Sequence, residues 1–573
     1  MSRPRANDAE SKPANSKKRR RPKKSGGNQT MHTEQVAPVV TGSSDNDPNW
    51  YLVNGQMAKD VLSLGMDITS GLPFDMHSLT NVAPGHEMKL HVPGVMVYNV
   101  MPTLPINDGP LSSVNVCANT LYQAVQSKNS RTPSYEASDL MLYFIALANA
   151  LSAYQWAVRV YGTMLNYSYI DRYTPKALVQ AMGVDYQDLK SNLANFRTGL
   201  NQIAAVFTSL YIPKSVDYVN RQVFLYEAIY ADSDTTKAQY YMYNPLGFYK
   251  WIEGDSETPL THLDFVPMLN DKITSMTADN IIEYLNDLLM PLRVSDDIRM
   301  IGADMINAFG VESMYKVFPI SETFLVKPSY NKEVLMQFEN AFIMPPATLG
   351  AGAAGPQITA SLTQTAGINE GAINFNCSYN SDLDSAPLMT TVQQYKYNPV
   401  YRPDIYLLNF HENSVSSEMM LVASRLTQEP EVTITWPDPV TYMTITINKA
   451  PTTELILGAT IYSFGPDSEA FDPWDIDRTA IYTYMWQQHS SSAYAMLSSR
   501  VNGLMSRFDW SPRIVSVATS SGATTKYMNY GETIFDLDNY TILPNGLLTN
   551  VNYMANLGLF TPKSLPNAVL TAK

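Results

Sequence analysis

Not one charged residue occurs between Leu140 and Val158. A stretch of that length either spans a bilayer or lies inside a fold. Asn149, Ser152 and Gln155 interrupt it, and Asp139 and Arg159 bound it. Polar side chains inside and charges at both borders, in a chain whose remainder reads as soluble, predict a helix buried on most of its faces rather than a membrane span. The rest of the fold must then wrap around this segment.

Bulk composition leaves room for such wrapping. A chain of 573 residues holds roughly three or four domain-sized units and can bury a large core. Hydrophobic residues make up 45%, which is ordinary, but charged residues make up only 16%, against a usual value of about 25%. Subunit contacts are depleted in charge and enriched in aromatics and Met at their centres. The 36 Tyr and 29 Met therefore point to extensive contacts between copies, although both residue types also fill ordinary cores.

The charge that is present is divided unevenly. The first 24 residues carry ten Lys or Arg against two acids, and the remaining 549 carry thirty against fifty-one, so a segment of +8 is joined to a body of −21. Lys17, Lys18, Arg19, Arg20, Arg21, Lys23 and Lys24 form a block broken only by Pro22, with little apolar nearby to anchor it. This composition predicts a disordered cationic arm. Its natural partner is a polyanion, because each cation that neutralises a phosphate releases condensed counterions without reading sequence. Nuclear targeting and a solubilising tail are the bland alternatives.

Cys117 and Cys377 are the only cysteines and stand far apart, so neither a disulfide framework nor metal-ligand spacing is expected, and a reducing compartment fits. A charged amino terminus with no apolar stretch after it is unlike a signal peptide.

Along the chain, order is expected from about Trp50, with loops and short strands from Val61 to Val100. Thr132-Pro133 signals a helix running to about Tyr167, and Thr174-Pro175 a shorter one ended by Gly183. Asp185 opens a helix whose Leu189, Leu193, Phe196, Leu200, Ile203 and Phe207 make one buried stripe. Further helices are expected from Ser215 to Tyr230, from Thr277 to a stop at Pro291, and from Asp296 to a stop at Gly310. Pro345 to Gly371 reads as a long surface loop. Glu431 to Trp436 and Tyr442 to Asn448 read as a hairpin, and Glu454 to Phe464 as a third strand. Helix is expected again from Arg478 to about Met505, and near Gly546 to Leu557.

No motif announces chemistry. Gly350-Ala-Gly352-Ala-Ala-Gly355 satisfies the dinucleotide spacing, but Pro345 and Pro346 precede it where a strand is needed and Pro356 follows where a helix is needed. Ser295-Asp296-Asp297 has polymerase-like carboxylates, yet it opens a helical pattern, where these residues cap amides. His86 and His91 are five apart among Pro and Gly, and His411-Glu412 is not followed by a second His. No catalytic residue, metal site or cofactor is predicted, and the chain is not expected to be an enzyme.

The stretch from Pro133 to Gly183, PSYEASDLMLYFIALANALSAYQWAVRVYGTMLNYSYIDRYTPKALVQAMG, resembles the corresponding helical region of picobirnavirus capsid proteins. Pro93-Gly94-Val95-Met96 and Ser112-Ser113-Val114-Asn115-Val116 are similar too, so that the resemblance covers about residues 60 to 230; the wider group is the partitivirus-like double-stranded RNA virus capsids. The resemblance implies an icosahedral shell built from dimers around a segmented double-stranded RNA genome. It also implies a predominantly α chain with a β-containing part (α+β), divided into a helical shell domain and a protruding dimerisation domain. The expected organisation is a basic arm over 1–48, shell over 49–240, a protruding dimerisation part over 241–475 and a return to the shell over 476–573. Expected partners are further copies of the chain, packaged RNA touched by the seven basic residues named above, and the viral polymerase, without stable membrane insertion. The expected location is the virion, assembled in the host cytoplasm. The alternative from another class is a non-assembling RNA-binding protein with a helical body.

Overall fold

The computed structural model describes residues 74–75, 89–90, 94–105, 109–130, 133–166, 174–233, 238–254, 260–270, 272–347, 358–365, 371–382, 405–435, 442–464, 476–488, 505, 507–521, 526–534 and 539–563. Contacts divide the chain between Asp67 and Ile68, and all described residues fall in the second unit.

In chain order this unit begins with β1 (Phe74–Asp75), β2 (Lys89–Leu90) and β3 (Gly94–Pro102), then α1 (Ser113–Gln126), α2 (Ala137–Met164), α3 (Thr174–Ala181), α4 (Tyr186–Phe207) and α5 (Asp217–Phe224). Strands β4 (Tyr230–Ala231), β5 (Tyr240–Pro245), β6 (Gly247–Ile252) and β7 (His262–Pro267) lead to α6 (Ala278–Val294), α7 (Asp296–Phe309) and α8 (Lys332–Glu339). There follow β8 (Ile343–Met344), β9 (Ile358–Thr365), β10 (Ala372–Asp382), β11 (Ile405–Phe410), α9 (Ser417–Ala423), β12 (Glu431–Thr435), β13 (Tyr442–Lys449) and β14 (Glu454–Phe464). Last come β15 (Ile476–Ile481), β16 (Tyr484–Gln488), β17 (Ile514–Ser521), β18 (Lys526–Ile534), β19 (Asn539–Pro544) and α10 (Asn545–Phe560).

Helix α2 contains the uncharged segment and is the centre of the unit. It packs against α1, α3, α4, α5 and α6 and, through another side, against β6 and β7. Its most apolar stretch is 94% buried, the mark of a core helix. It starts later than Thr132: Glu136 caps it, in a reciprocal box with Asp139. Each internal polar group is absorbed locally. Asn149 and Ser152 donate to the carbonyls of Ile145 and Ala148 at 2.8 Å, the Trp156 indole donates to Asn244 at 2.9 Å, and buried Arg159 donates to the carbonyls of Ala228 and Tyr243. Gly162 lets the helix touch the chain beyond it, since a Cβ there would come within 2.6 Å of Val326.

Two six-stranded sheets flank the helices. One runs β12-β13-β10-β9-β7-β6, entirely antiparallel, and includes the expected hairpin β12–β13, whose turn residues fall outside those described. The other is mixed and runs β15-β14-β3-β5-β4, with β8 parallel to β14. Smaller sheets pair β11 with β19, β1 with β2, and β16 through β18. Strand β14 bulges between Ile456 and Ala459, where Gly458 adopts φ +80° against Pro346, a conformation and a closeness that a larger residue would strain.

The described unit is mixed α+β, with ten helices beside these sheets. Several finer expectations change. The supposed loop from Pro345 to Gly371 contains β9, which alternates Ile358, Ala360 and Leu362 inward and pairs with β10. Pro291 does not stop its helix: α6 continues past it to Val294, and Ser295 closes that helix while capping α7. Instead of helix, Arg478 to Gln488 forms β15 and β16. Instead of loops and short strands alone, the region before Pro102 supplies the buried nine-residue β3. The mixed sheet joins strands distant in sequence, since β3 pairs with β5 and β14, and β14 pairs with β15.

Candidate functional site

The residues expected to meet RNA, Lys17, Lys18, Arg19, Arg20, Arg21, Lys23 and Lys24, lie outside the described residues, as do His86, His91 and the Gly350 to Gly355 motif. Ser295 does what its position suggested and caps α7, accepting from the amide of Ile298 at 3.4 Å. His411 and Glu412 serve as bracing. The His411 ring lies against Trp510 at 4.1 Å with Nε2 3.1 Å from Glu339 Oε1, and Glu412 pairs with Lys332. Among the described residues no group of three or more His, Cys, Asp or Glu could hold a metal ion. Burial pushes the Cys377 thiol up to about 12 and raises that of Cys117, so neither is prepared as a nucleophile.

A buried ionic cluster joins distant parts of the chain. Arg221 on α5 donates through Nε and Nη2 to Glu454 Oε1 at 3.0 and 2.8 Å, and Arg425 Nε stands 3.4 Å from the same oxygen. Burial alone would raise Glu454, but the two guanidinium groups outweigh it and hold the carboxyl at about 2. Arg425 Nη2 continues the network to Thr453 Oγ1 at 3.0 Å and Asn556 Oδ1 at 3.2 Å. Helix α5, strand β14, the turn after α9 and the terminal helix are thus held to one point. Elsewhere Asp232, beside the amide of Gln239, is pushed up to about 7, chiefly by burial.

The terminal helix α10 carries the most unusual face. Its buried side is marked by Leu548, Asn552, Asn556 and Phe560, one residue per turn. Asn552 donates to Gln428 at 2.7 Å, Asn556 donates to the Pro451 carbonyl at 3.1 Å, and Phe560 stacks on Tyr218 with ring centres 4.5 Å apart. The outward side carries Leu547 at 50% exposure and Met554 at 57%, with Tyr553 also exposed. No residue from Asn545 to Phe560 is charged. Beside the helix lies a groove of about 870 Å³ lined by Tyr406, Gln428, Val432, Pro451, Thr549 and Tyr553, among others. Leu111, at 77% the most exposed large apolar side chain among the described residues, stands on its rim. The helix face is apolar and amide-rich, and the groove beside it also carries Glu429, Glu431 and Lys449. The sequence reading placed a helix here but missed its outward face.

Residues 50–521 match the family model for the picobirnavirus capsid protein. The chain is similar to the capsid protein precursor of human picobirnavirus (strain Human/Thailand/Hy005102/-), 24% identical over 567 residues that cover 95% of this chain and 96% of that one. It is also similar to the picobirnavirus capsid solved by X-ray crystallography, with a TM-score of 0.69 and 21% identity over 90% of this chain and 98% of the other, which shows a common fold.

Proposed function

The chain belongs to the picobirnavirus capsid protein family, and from that premise we propose that it assembles through dimers into an icosahedral shell around a segmented double-stranded RNA genome, its basic arm touching the RNA without reading sequence. Membership makes it a structural, non-enzymatic protein of the virion of a double-stranded RNA virus, associating with its own copies.

The observation that carries the RNA reading is the charge division. Residues 1–24 carry +8 and lie ahead of residue 50, where the family match begins, while the 549 residues after Lys24 carry −21. Facing inward, Lys17 to Lys24 offset part of the genome charge, while the acidic body limits adhesion of RNA elsewhere. Within the body, we assign 49–240 and 476–573 to the shell and 241–475 to the protruding, dimer-forming part. The antiparallel six-stranded sheet supports this, since all its strands fall between Gly247 and Lys449. The viral polymerase is a second partner on the same reading, and assembly occurs in the host cytoplasm, where the free thiols of Cys117 and Cys377 stay reduced.

Deleting residues 1 to 24 tests the arm. Particles should form in nearly undiminished number but carry less RNA, read as a lower ratio of nucleic-acid to protein absorbance after sedimentation. Undiminished RNA in the truncated particles would sink the assignment.

A further inference from the structure

We propose that the outward face of α10, with Leu111 and the adjoining groove, is a two-fold contact between copies of this chain, an inference that rests on the self-assembling reading and names a surface for it. Helical geometry places Leu547, Val551, Met554 and Gly558 within about 60° of one another, at 100° per residue. That stripe lies opposite the buried Leu548, Asn552, Asn556 and Phe560. Two faces of the helix are thus committed differently. Asn552 and Asn556 are satisfied within the subunit by Gln428, Arg425 and the Pro451 carbonyl, beside buried Leu548 and Phe560, while Leu547, Tyr553 and Met554 point away. Exposed apolar surface of this kind on a helix signals a partner.

Two features select a second copy as that partner. The first is charge. A body of −21 repels its own copies, so they meet most readily where neither brings charge, and α10 has none from Asn545 to Phe560. The groove's Glu431 and Lys449 neutralise each other at 3.3 Å. The groove's remaining charged residue, Glu429, would repel an RNA. The second is shape. A two-fold contact must be self-complementary, each copy offering both a projection and a recess on one patch. Leu111 projects from the rim of the very groove that would receive its counterpart. Gly546 and Gly558 have nothing within 4 Å of where a Cβ would stand, leaving room for a neighbouring helix to approach.

The test uses the full-length chain in two forms. In Met554→Cys, a short bis-maleimide linker should join subunits within particles into covalent dimers on a denaturing gel; Cys117 and Cys377 are buried, so unsubstituted particles should give almost none. In Leu547→Lys with Met554→Lys, sedimenting particles should fall by about tenfold or more, since a contact centre tolerates an unpaired cation poorly, while circular dichroism stays that of the parent. Charged variants that assemble at the parental yield, or Met554→Cys particles that give no dimers, would overturn the inference. If the charged chain misfolds, the cross-link decides alone. A parental chain that forms no particles but cross-links through Met554→Cys would refute the shell reading and keep the contact.

Discussion

Helices α2 and α10 are both long, both rich in apolar residues and nearly free of charge, yet the fold treats them in opposite ways. In α2 almost every side chain is buried, and the polar ones turn back onto carbonyls within the subunit. In α10 two asparagines point inward beside Leu548 and Phe560, while Leu547 and Met554 point out. The same bulk hydrophobicity thus serves folding in one helix and, on our reading, association in the other. What separates them is where hydrogen-bond partners stand. Arg425, Gln428 and the Pro451 carbonyl form a polar floor that amides can satisfy and leucines cannot.

Substitutions can break or sharpen that contrast. The largest effect on the subunit should come from Trp156→Ala in α2, which empties a fully buried site and strands Asn244. It should cost about 3–5 kcal/mol in urea unfolding of the dissociated protein; a loss below 1 kcal/mol would mean that α2 is not the core. Next is the acid dependence of the polar floor. The Glu454 carboxyl ordinarily titrates at 4.5 and is held at about 2 in the fold, so its stabilisation is present above pH 4.5 and disappears as pH falls through 2. It amounts to about 3 kcal/mol. In Glu454→Gln that part of the pH profile should flatten, although the variant is less stable at neutral pH because two guanidinium groups lose their carboxylate. Asn556→Ala should cost a further step less, about 1–3 kcal/mol, by leaving Arg425 and the Pro451 carbonyl short of a partner. Smallest is Met554→Lys, which should change subunit stability by no more than about 0.5 kcal/mol. Parity between the Met554 and Trp156 variants would erase the distinction between the helices.

Legibility in the sequence followed the range of the interactions involved. Helix α4 was readable because Asp185 and the stripe from Leu189 to Phe207 lie within a few residues of one another, and the cap and burial are as expected. The β12–β13 hairpin was readable for the same reason. Strands β15 and β16 were not, since Arg478 to Gln488 lacks a clear period and gains its form from partners, β14 at one end and β17 at the other. The fine structure of α10 shows the limit most clearly. Asn552 and Asn556 would be placed outside by any scale of hydrophobicity, and only Gln428 and Arg425, more than a hundred positions away, explain why they are inside.

The mixed sheet has a consequence for the timing of synthesis. Strand β3 is flanked by β5 on one side and by β14 on the other, and β14 begins roughly 350 residues after β3 ends. At a ribosomal pace of about 5–20 residues per second, β3 therefore waits on the order of tens of seconds with one edge open, in the state where nascent chains are most prone to stray pairing. The network around Glu454, the first residue of β14, closes only after that wait, and Asn556 joins it only about a hundred residues later. An interrupted chain accordingly lacks both the second neighbour of β3 and helix α10.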